Sequence, residues 1–189
     1  MKVAFQKGHW ENSLHPVYTS RYDETPDFIQ EETYITNQAN PNCSYGFDHT
    51  SLLTKEQYGN GATVTTQCLF EKFGAPLILL TDKLYQDENG VWRYRNYYEV
   101  VLYEDGLNVW YLYPEQGETK WHKLLGVHFP VKENEIHSLS VKILDRAIEI
   151  STGDEKVMLR IPELPAQLHV GITACEGINK FYSFEVAES

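Results

Sequence analysis

Glu99 is the carboxylate with the most suggestive neighbours in this sequence, set in the run Tyr97-Tyr98-Glu99-Val100-Val101-Leu102-Tyr103. Alternate side chains of a strand share a face. Tyr97, Glu99, Val101 and Tyr103 therefore point one way, and Tyr98, Val100 and Leu102 point into a core. A second β-rich run, Leu107–Tyr113, follows an Asp105-Gly106 dipeptide, among the best short hairpin signals. A two-residue turn there predicts Trp110 opposite Val101 and Leu112 opposite Glu99. A carboxylate beside an indole and two phenols suits stacking on a sugar face while accepting hydroxyl protons. The plainer alternative is a solvated Glu on an outer face, which is the commoner fate of the residue type.

Trp121 and His122 lie on the next strand, Thr119–Val127, and only one of them can share a face with Trp110. The intervening Pro114–Glu118 leaves the register open. A His beside Glu99 would serve as acid or base near neutral pH, which makes Glu99 and His122 the candidate catalytic pair. Most such histidines are simply hydrogen-bonded at a surface. Arg93 and Arg95 flank Tyr94 just upstream. They suit a bidentate grip on an acidic sugar, or pairing with surplus carboxylates worth at most about 1 kcal/mol. The candidate ligand-binding set is thus Tyr97, Trp110, Trp121, Arg93 and Arg95.

No cofactor is expected. The histidines (9, 15, 49, 122, 128, 137 and 169) show no H-x-H or HExxH spacing, so no local metal site is proposed. Asp82, Asp87, Glu88 and Asn89 form the one loop with a calcium flavour, and a plain turn explains it better. Phosphate loops and G-x-S-x-G elbows are missing.

The elements that must position these residues are strands. From Ala62 onward the pattern alternates with period two: Ala62, Val64, Thr66, Cys68 and Phe70 face one way. Further strands are predicted at Ala75–Thr81, His137–Leu144, Ala147–Ser151, Lys156–Ile161, Leu168–Ala174 and Phe181–Val186. Turn chemistry separates them at Asp87-Glu88-Asn89-Gly90, Gln116-Gly117, Asp145-Arg146, Thr152-Gly153-Asp154 and Glu176-Gly177. Earlier, Lys2–Phe5 and Glu32–Asn37 read as short strands, and a helical turn is expected near Thr54–Tyr58. Ten to twelve evenly spaced strands argue for a sandwich or barrel. We expect one all-β domain over 1–189, with 1–30 an irregular segment packed upon it.

Composition narrows the function classes. The 13 Tyr, 8 Phe and 4 Trp suit half-wet binding surfaces, and equally suit the filling of sheets. A net charge of −11 with no basic stripe argues against nucleic acid. The longest apolar run, Ala75–Leu80, is far short of a membrane span, so no membrane partner is expected. MKVAFQKGHWENS lacks a secretory h-region. Cys43, Cys68 and Cys175 form no CxxC and read as free thiols of a reducing cytosol.

The order of pieces resembles the concanavalin A-like lectin/glucanase superfamily, including its laminin-G-like modules, from about Phe28 to Val186. FIQEETYITN at 28–37 resembles its early strand, and YYEVVLY a tyrosine-bearing sheet strand. SVKILDRAIEISTGDEKVMLRI resembles its consecutive hairpins, and HVGITACEGINKFYSFEV its closing pair of strands. The resemblance implies a two-sheet antiparallel jelly roll with ligands on a concave face or its rim. It also implies a lectin-like saccharide binder, or else a glycoside hydrolase or polysaccharide lyase with Glu99 as acid/base. The hydrolase E-x-D-x-(x)-E strand has no counterpart, and Glu135-Ile136-His137 is all that stands for the lyase Gln-x-His. A sheet-mediated interaction or dimerisation domain is the third reading.

Overall fold

The computed structural model describes residues 1–7, 10–18, 28–37 and 50–188. These residues contain strands and no helix. Short ones come first: β1 (Lys2–Ala4), β2 (Leu14–Tyr18), β3 (Ile29–Gln30), β4 (Ile35–Thr36), β5 (Thr50–Thr54) and β6 (Tyr58–Gly59). β7 (Thr63–Glu71) and β8 (Ala75–Thr81) follow, then a small hairpin of β9 (Leu84–Gln86) and β10 (Trp92–Tyr94). β11 (Tyr97–Tyr103), β12 (Gly106–Glu115) and β13 (Glu118–His128) form one meander. A second runs through β14 (His137–Leu144), β15 (Ala147–Thr152) and β16 (Glu155–Arg160). The last two strands are β17 (Gln167–Cys175) and β18 (Ile178–Ala187).

Two antiparallel sheets result. One is ordered β16-β15-β14-β7-β18-β4-β3, with β1 also beside β18; the other is β13-β12-β11-β8-β17-β5-β2, with β6 also beside β17. β17 and β18, adjacent in sequence, lie in different sheets, so the chain crosses the sandwich at their turn. The expected all-β sandwich is what forms.

The core lies between the sheets and follows the period-two pattern. Val64, Cys68 and Phe70 of β7 meet Ile78, Leu80, Tyr98, Val100 and Leu102 of the facing sheet. Burial pushes the Cys68 thiol up to about 12, since a thiolate there would lose its water.

Three local expectations change. Phe28–Asn37 is a hairpin of two very short strands, and Tyr58–Gly59 pairs with β17 where a helical turn was expected. Residues 1–30, expected to be irregular, carry strands that join both sheets: β1 pairs with β18 and β2 with β5. Pro16 sits exposed in β2, the outermost strand of its sheet among the described residues, where a residue without an amide hydrogen is tolerated. Cys43, His9 and His49 lie outside the described residues.

The β9–β10 hairpin is the element that shapes the outer surface. Among the described residues its strands pair only with each other, yet it lies on the outer face of the sheet containing β8. Tyr94 belongs to a second apolar cluster with Val17, Leu53, Leu77, Leu79, Tyr97 and Leu112, against which Leu84 and Trp92 pack. The Tyr94 and Tyr97 rings meet edge-on at 4.6 Å. Tyr94 Oη shares a hydrogen bond of 3.0 Å with Ser51 Oγ, which in turn shares one of 2.7 Å with Thr173 Oγ1. His15 of β2 lies against the Trp92 ring at 5.1 Å. Thr81 Oγ1 donates to the Asn96 carbonyl at 2.7 Å, tying the hairpin's two ends together.

Candidate functional site

Beyond the hairpin, the outer face opens into a hollow of about 370 Å³. Glu99, Val101 and Tyr103 of β11 form its floor with Asn108 and Trp110 of β12; Trp121, Ala75, Cys175 and Glu176 complete it. The face assignment made from alternation holds, since Tyr98, Val100 and Leu102 are in the inter-sheet core and Glu99 is in the hollow.

The register differs from expectation in a useful way. The turn residues are Glu104 and Asp105, and Tyr103 pairs with Gly106, so Trp110 stands opposite Glu99, Asn108 opposite Val101 and Leu112 opposite Tyr97. Gly106 is drawn into the ladder because its φ is +134° and a Cβ there would lie 2.1 Å from the Val127 carbonyl oxygen. The backbones of β12 and β13 approach too closely for any other residue.

The choice between Trp121 and His122 is made by a bulge. The β12–β13 pairing shifts between Val109 and Trp110, from Val109↔Leu125 to Trp110↔Lys123. The extra residue, Leu124, packs toward the core alongside Leu125. Without that inserted residue, strict alternation would turn His122 outward and Trp121 inward. With it, Trp121 pairs with Leu112 on the outer face. The β12–β13 turn is tighter than the sequence suggested: Glu115 pairs with Glu118 across Gln116-Gly117, at φ +53° and +84°, the two-residue primed geometry of hairpins.

The two indoles meet nearly perpendicular, 80° apart with centroids at 6.3 Å. Trp110 is half-buried and Trp121 is 42% exposed. Lys123 Nζ lies 5.3 Å from the Trp110 ring centroid, within cation–π range. Glu99 is only 2% exposed, between Leu79 and Trp110 in the ladders. Asn108 Oδ1 is a second buried acceptor, without a hydrogen-bond partner among the described residues. Gly126, opposite Asn108, leaves room at this edge, for a Cβ there would lie 3.2 Å from Asn108 Oδ1 and 3.3 Å from Lys123 Nζ.

Glu176 stands on the rim in the β17–β18 turn. Asn179 fixes that turn, its Nδ2 donating to the carbonyls of Cys175 and Glu176 at 3.1 and 2.9 Å. The Asn179 amide donates to Asn37 Oδ1 at 2.7 Å, and Asn37 Nδ2 donates to the Gly177 carbonyl at 3.1 Å.

Several predicted site residues are placed elsewhere. His122 lies on the opposite face from Glu99, in a separate hollow of about 310 Å³ with Tyr98, Tyr111 and Leu124. The expected catalytic pair is not assembled, because the bulge turns the imidazole away. Tyr97 is buried beneath the hairpin, against Tyr94, and does not line the hollow. Arg93 Nε donates to Asp87 Oδ2 at 3.0 Å, and Arg95 is exposed outside the hollow. The Asp87 carboxylate, which the calcium reading required, caps its own turn. It accepts from the Asn89 and Val91 amides, both at 2.9 Å, and the Val91 bond first and Arg93 next hold it below the usual carboxylate range. Sequence reasoning missed Asn108, Glu176, Ala75 and Cys175 as lining residues. Asn108 is two positions from Trp110, so the same alternation would have found it.

A likeness to solved structures decides the fold. A protein of unknown function with a galectin-like fold from Bacillus subtilis superposes with a TM-score of 0.70 at 8% identity, covering 100% of this chain and 94% of that one. The carbohydrate binding module CBM66 from Bacillus subtilis gives 0.66 at 11% identity, over 94% and 96% of the two chains. The fold is the concanavalin A-like jelly roll. A glycoside hydrolase family 16 endo-glucanase from Bacteroides ovatus shares this concanavalin A-like frame, with 0.63 at 8% identity over 99% of each chain. No protein-family model matches the chain, and no curated protein sequence is similar to it. The hollow lies on the outer side of the sheet that contains β8, β11 and β12.

Proposed function

We propose that the chain is a carbohydrate-binding protein whose site is the hollow around Trp110, Trp121 and Glu99. The observation that carries this reading is the cross-strand pairing of Trp110 with Glu99 beside a second, exposed indole. Indole faces take the apolar C–H side of a sugar ring, while fixed carboxylate and amide oxygens accept from its hydroxyls. Glu99 and Asn108 supply such acceptors in the floor. Among the structural neighbours, a carbohydrate binding module and a glycoside hydrolase support the same chemistry.

The test is calorimetric titration with laminarin, agaro-oligosaccharides and β-galactan, repeated with Trp110→Ala and Trp121→Ala. Loss of either indole should weaken binding about tenfold, the equivalent of about 1.4 kcal/mol. Binding that survives loss of both indoles overturns this site.

A second reading, a hydrolase with Glu99 as acid or base, is favoured by one observation: Glu176 lines the same hollow. Two carboxylates flanking a scissile bond are the usual glycosidase arrangement. Reducing-end release from the same glycans, lost in Glu99→Gln, is its signature.

A further inference from the structure

We infer that the hollow holding His122 is a second site, which takes a small zwitterion with an apolar body, of the chemical class of a free hydrophobic amino acid. It is separate from the Trp110 hollow and stands apart from the sugar-binding reading above. β13 and β16 are the end strands of their respective sheets among the described residues. Tyr98, Tyr111, His122 and Leu124 line the hollow from one sheet, and Leu159 with the segment after it from the other. The hollow thus opens between the two sheets, at one edge of the sandwich. Consecutive residues serve the two sides of the sheet: Trp110 and Trp121 face the outer hollow, Tyr111 and His122 this one.

A mostly apolar lining with a few polar groups is the usual make-up of a small-molecule site. The volume of about 310 Å³ has room for one small molecule, at the lower end of the common range of about 300–1,000 Å³. Leu124 and Leu159 pack against the inter-sheet core, so the inner end of an occupant meets hydrocarbon. A sugar, with hydroxyls all round its ring, would leave some of them unmet on that floor. An apolar side chain leaves none. The phenol wall is fixed by stacking: Tyr98 on Tyr111 at 4.8 Å and 25°, and Tyr111 on Tyr113 at 5.3 Å and 27°.

The rim carries one charge of each sign. Arg160 and Glu163 both line the hollow, and neither is ion-paired among the described residues. The backbone between them is held in place. The Ile161 amide donates to the Arg146 carbonyl at 2.8 Å, and the Leu164 amide to the Ile161 carbonyl at 3.0 Å. A guanidinium grips a carboxylate through two N–H groups, which assigns the acid end of the ligand to Arg160. The ammonium end belongs with Glu163 and the phenols, since carboxylates and aromatic faces both attract a cation. Burial first, then the Asp82 and Glu163 carboxylates, hold the Tyr111 phenol above its ordinary value, so negative charge surrounds that end. His122 stands exposed opposite Tyr111 and adds ring nitrogens for hydrogen bonding at the mouth.

The experiment titrates the intact protein calorimetrically with L-phenylalanine and L-leucine, and with phenethylamine and 3-phenylpropionate, which each carry one of the two charges. The amino acids should bind one per chain, and each single-charge analogue at least about tenfold more weakly than phenylalanine. Arg160→Gln and Glu163→Gln, both at exposed positions, should each weaken phenylalanine binding by about the same factor. Trp110→Ala should leave it unchanged. Three results overturn the proposal: no binding of either amino acid at millimolar concentration, a single-charge analogue that binds as tightly as phenylalanine, or binding that both rim variants keep. Loss of amino-acid binding in Trp110→Ala, with the rim variants unaffected, would move the ligand to the other hollow and overturns it equally.

Discussion

Trp110 stands directly opposite Glu99 across the β11–β12 ladder, so the indole and the carboxylate leave the sheet on the same side as nearest cross-strand neighbours. Such pairs have Cβ atoms about 4.5–5.5 Å apart. The carboxylate is 2% exposed while the neighbouring indole remains half-buried.

Replacing it separates binding from stability. Glu99→Leu removes the carboxylate and keeps a side chain of similar volume in the floor of the hollow. The same variant should lose saccharide binding, and Glu99→Gln should bind at least about tenfold more weakly, a loss of about 1.4 kcal/mol. Thermal unfolding and calorimetry on the two variants check this. A large drop in melting temperature for Glu99→Leu would assign the carboxylate a structural role instead.

Gly106→Ala should be severely destabilising. The added Cβ would fall 2.1 Å from the Val127 carbonyl oxygen at a φ of +134°, combining a backbone clash with a conformation that side chains avoid. A loss above about 2 kcal/mol is expected, beyond the ordinary range of surface substitutions. Because this glycine starts the strand that carries Trp110, tryptophan fluorescence should change together with stability in urea titrations. A Gly106→Ala protein with native stability and emission would contradict the close approach of β12 and β13.

Alkaline pH should weaken the fold. Burial raises the Cys68 thiol from 9.0 to about 12, and the Tyr98 phenol from 10.0 to about 12, with Tyr111 adding to the latter. Above the lower value of each pair the unfolded chain has released a proton that the folded chain keeps. The unfolded state then binds fewer protons, and stability falls as pH rises. The window runs from about 9 to about 12, at on the order of 1 kcal/mol per pH unit for each group. Urea midpoints at pH 8 and pH 10.5 measure it, and Cys68→Ala should flatten the slope. Equal slopes in the two proteins would show that the thiol does not contribute.

Much of the architecture was readable because its strands have one wet and one dry face. His137–Leu144 alternates cleanly, and its predicted limits are those observed. The face of Glu99 was readable for the same reason. The partners across the ladder were not, because a glycine pressed against a neighbouring carbonyl moved the turn one residue earlier, and one inserted leucine decided between Trp121 and His122. Neither leaves a mark on period-two alternation until the pairing is known. The covering hairpin did leave one. Ala75–Leu80 is an unbroken apolar run, and β8 is buried at every position. Continuous apolarity in a strand of this length means that both faces are covered, so something had to lie on the outer side. The turn residues Asp87–Gly90, between Leu84 and Trp92, were the place to look for it.

Pro16 bears on how the molecule behaves at high concentration. The outermost strand of a sheet is a ready template for a strand from another molecule, and that route leads to aggregation. A residue with no amide hydrogen leaves a gap in the row of donors, so strand-on-strand growth from β2 is discouraged by the backbone itself.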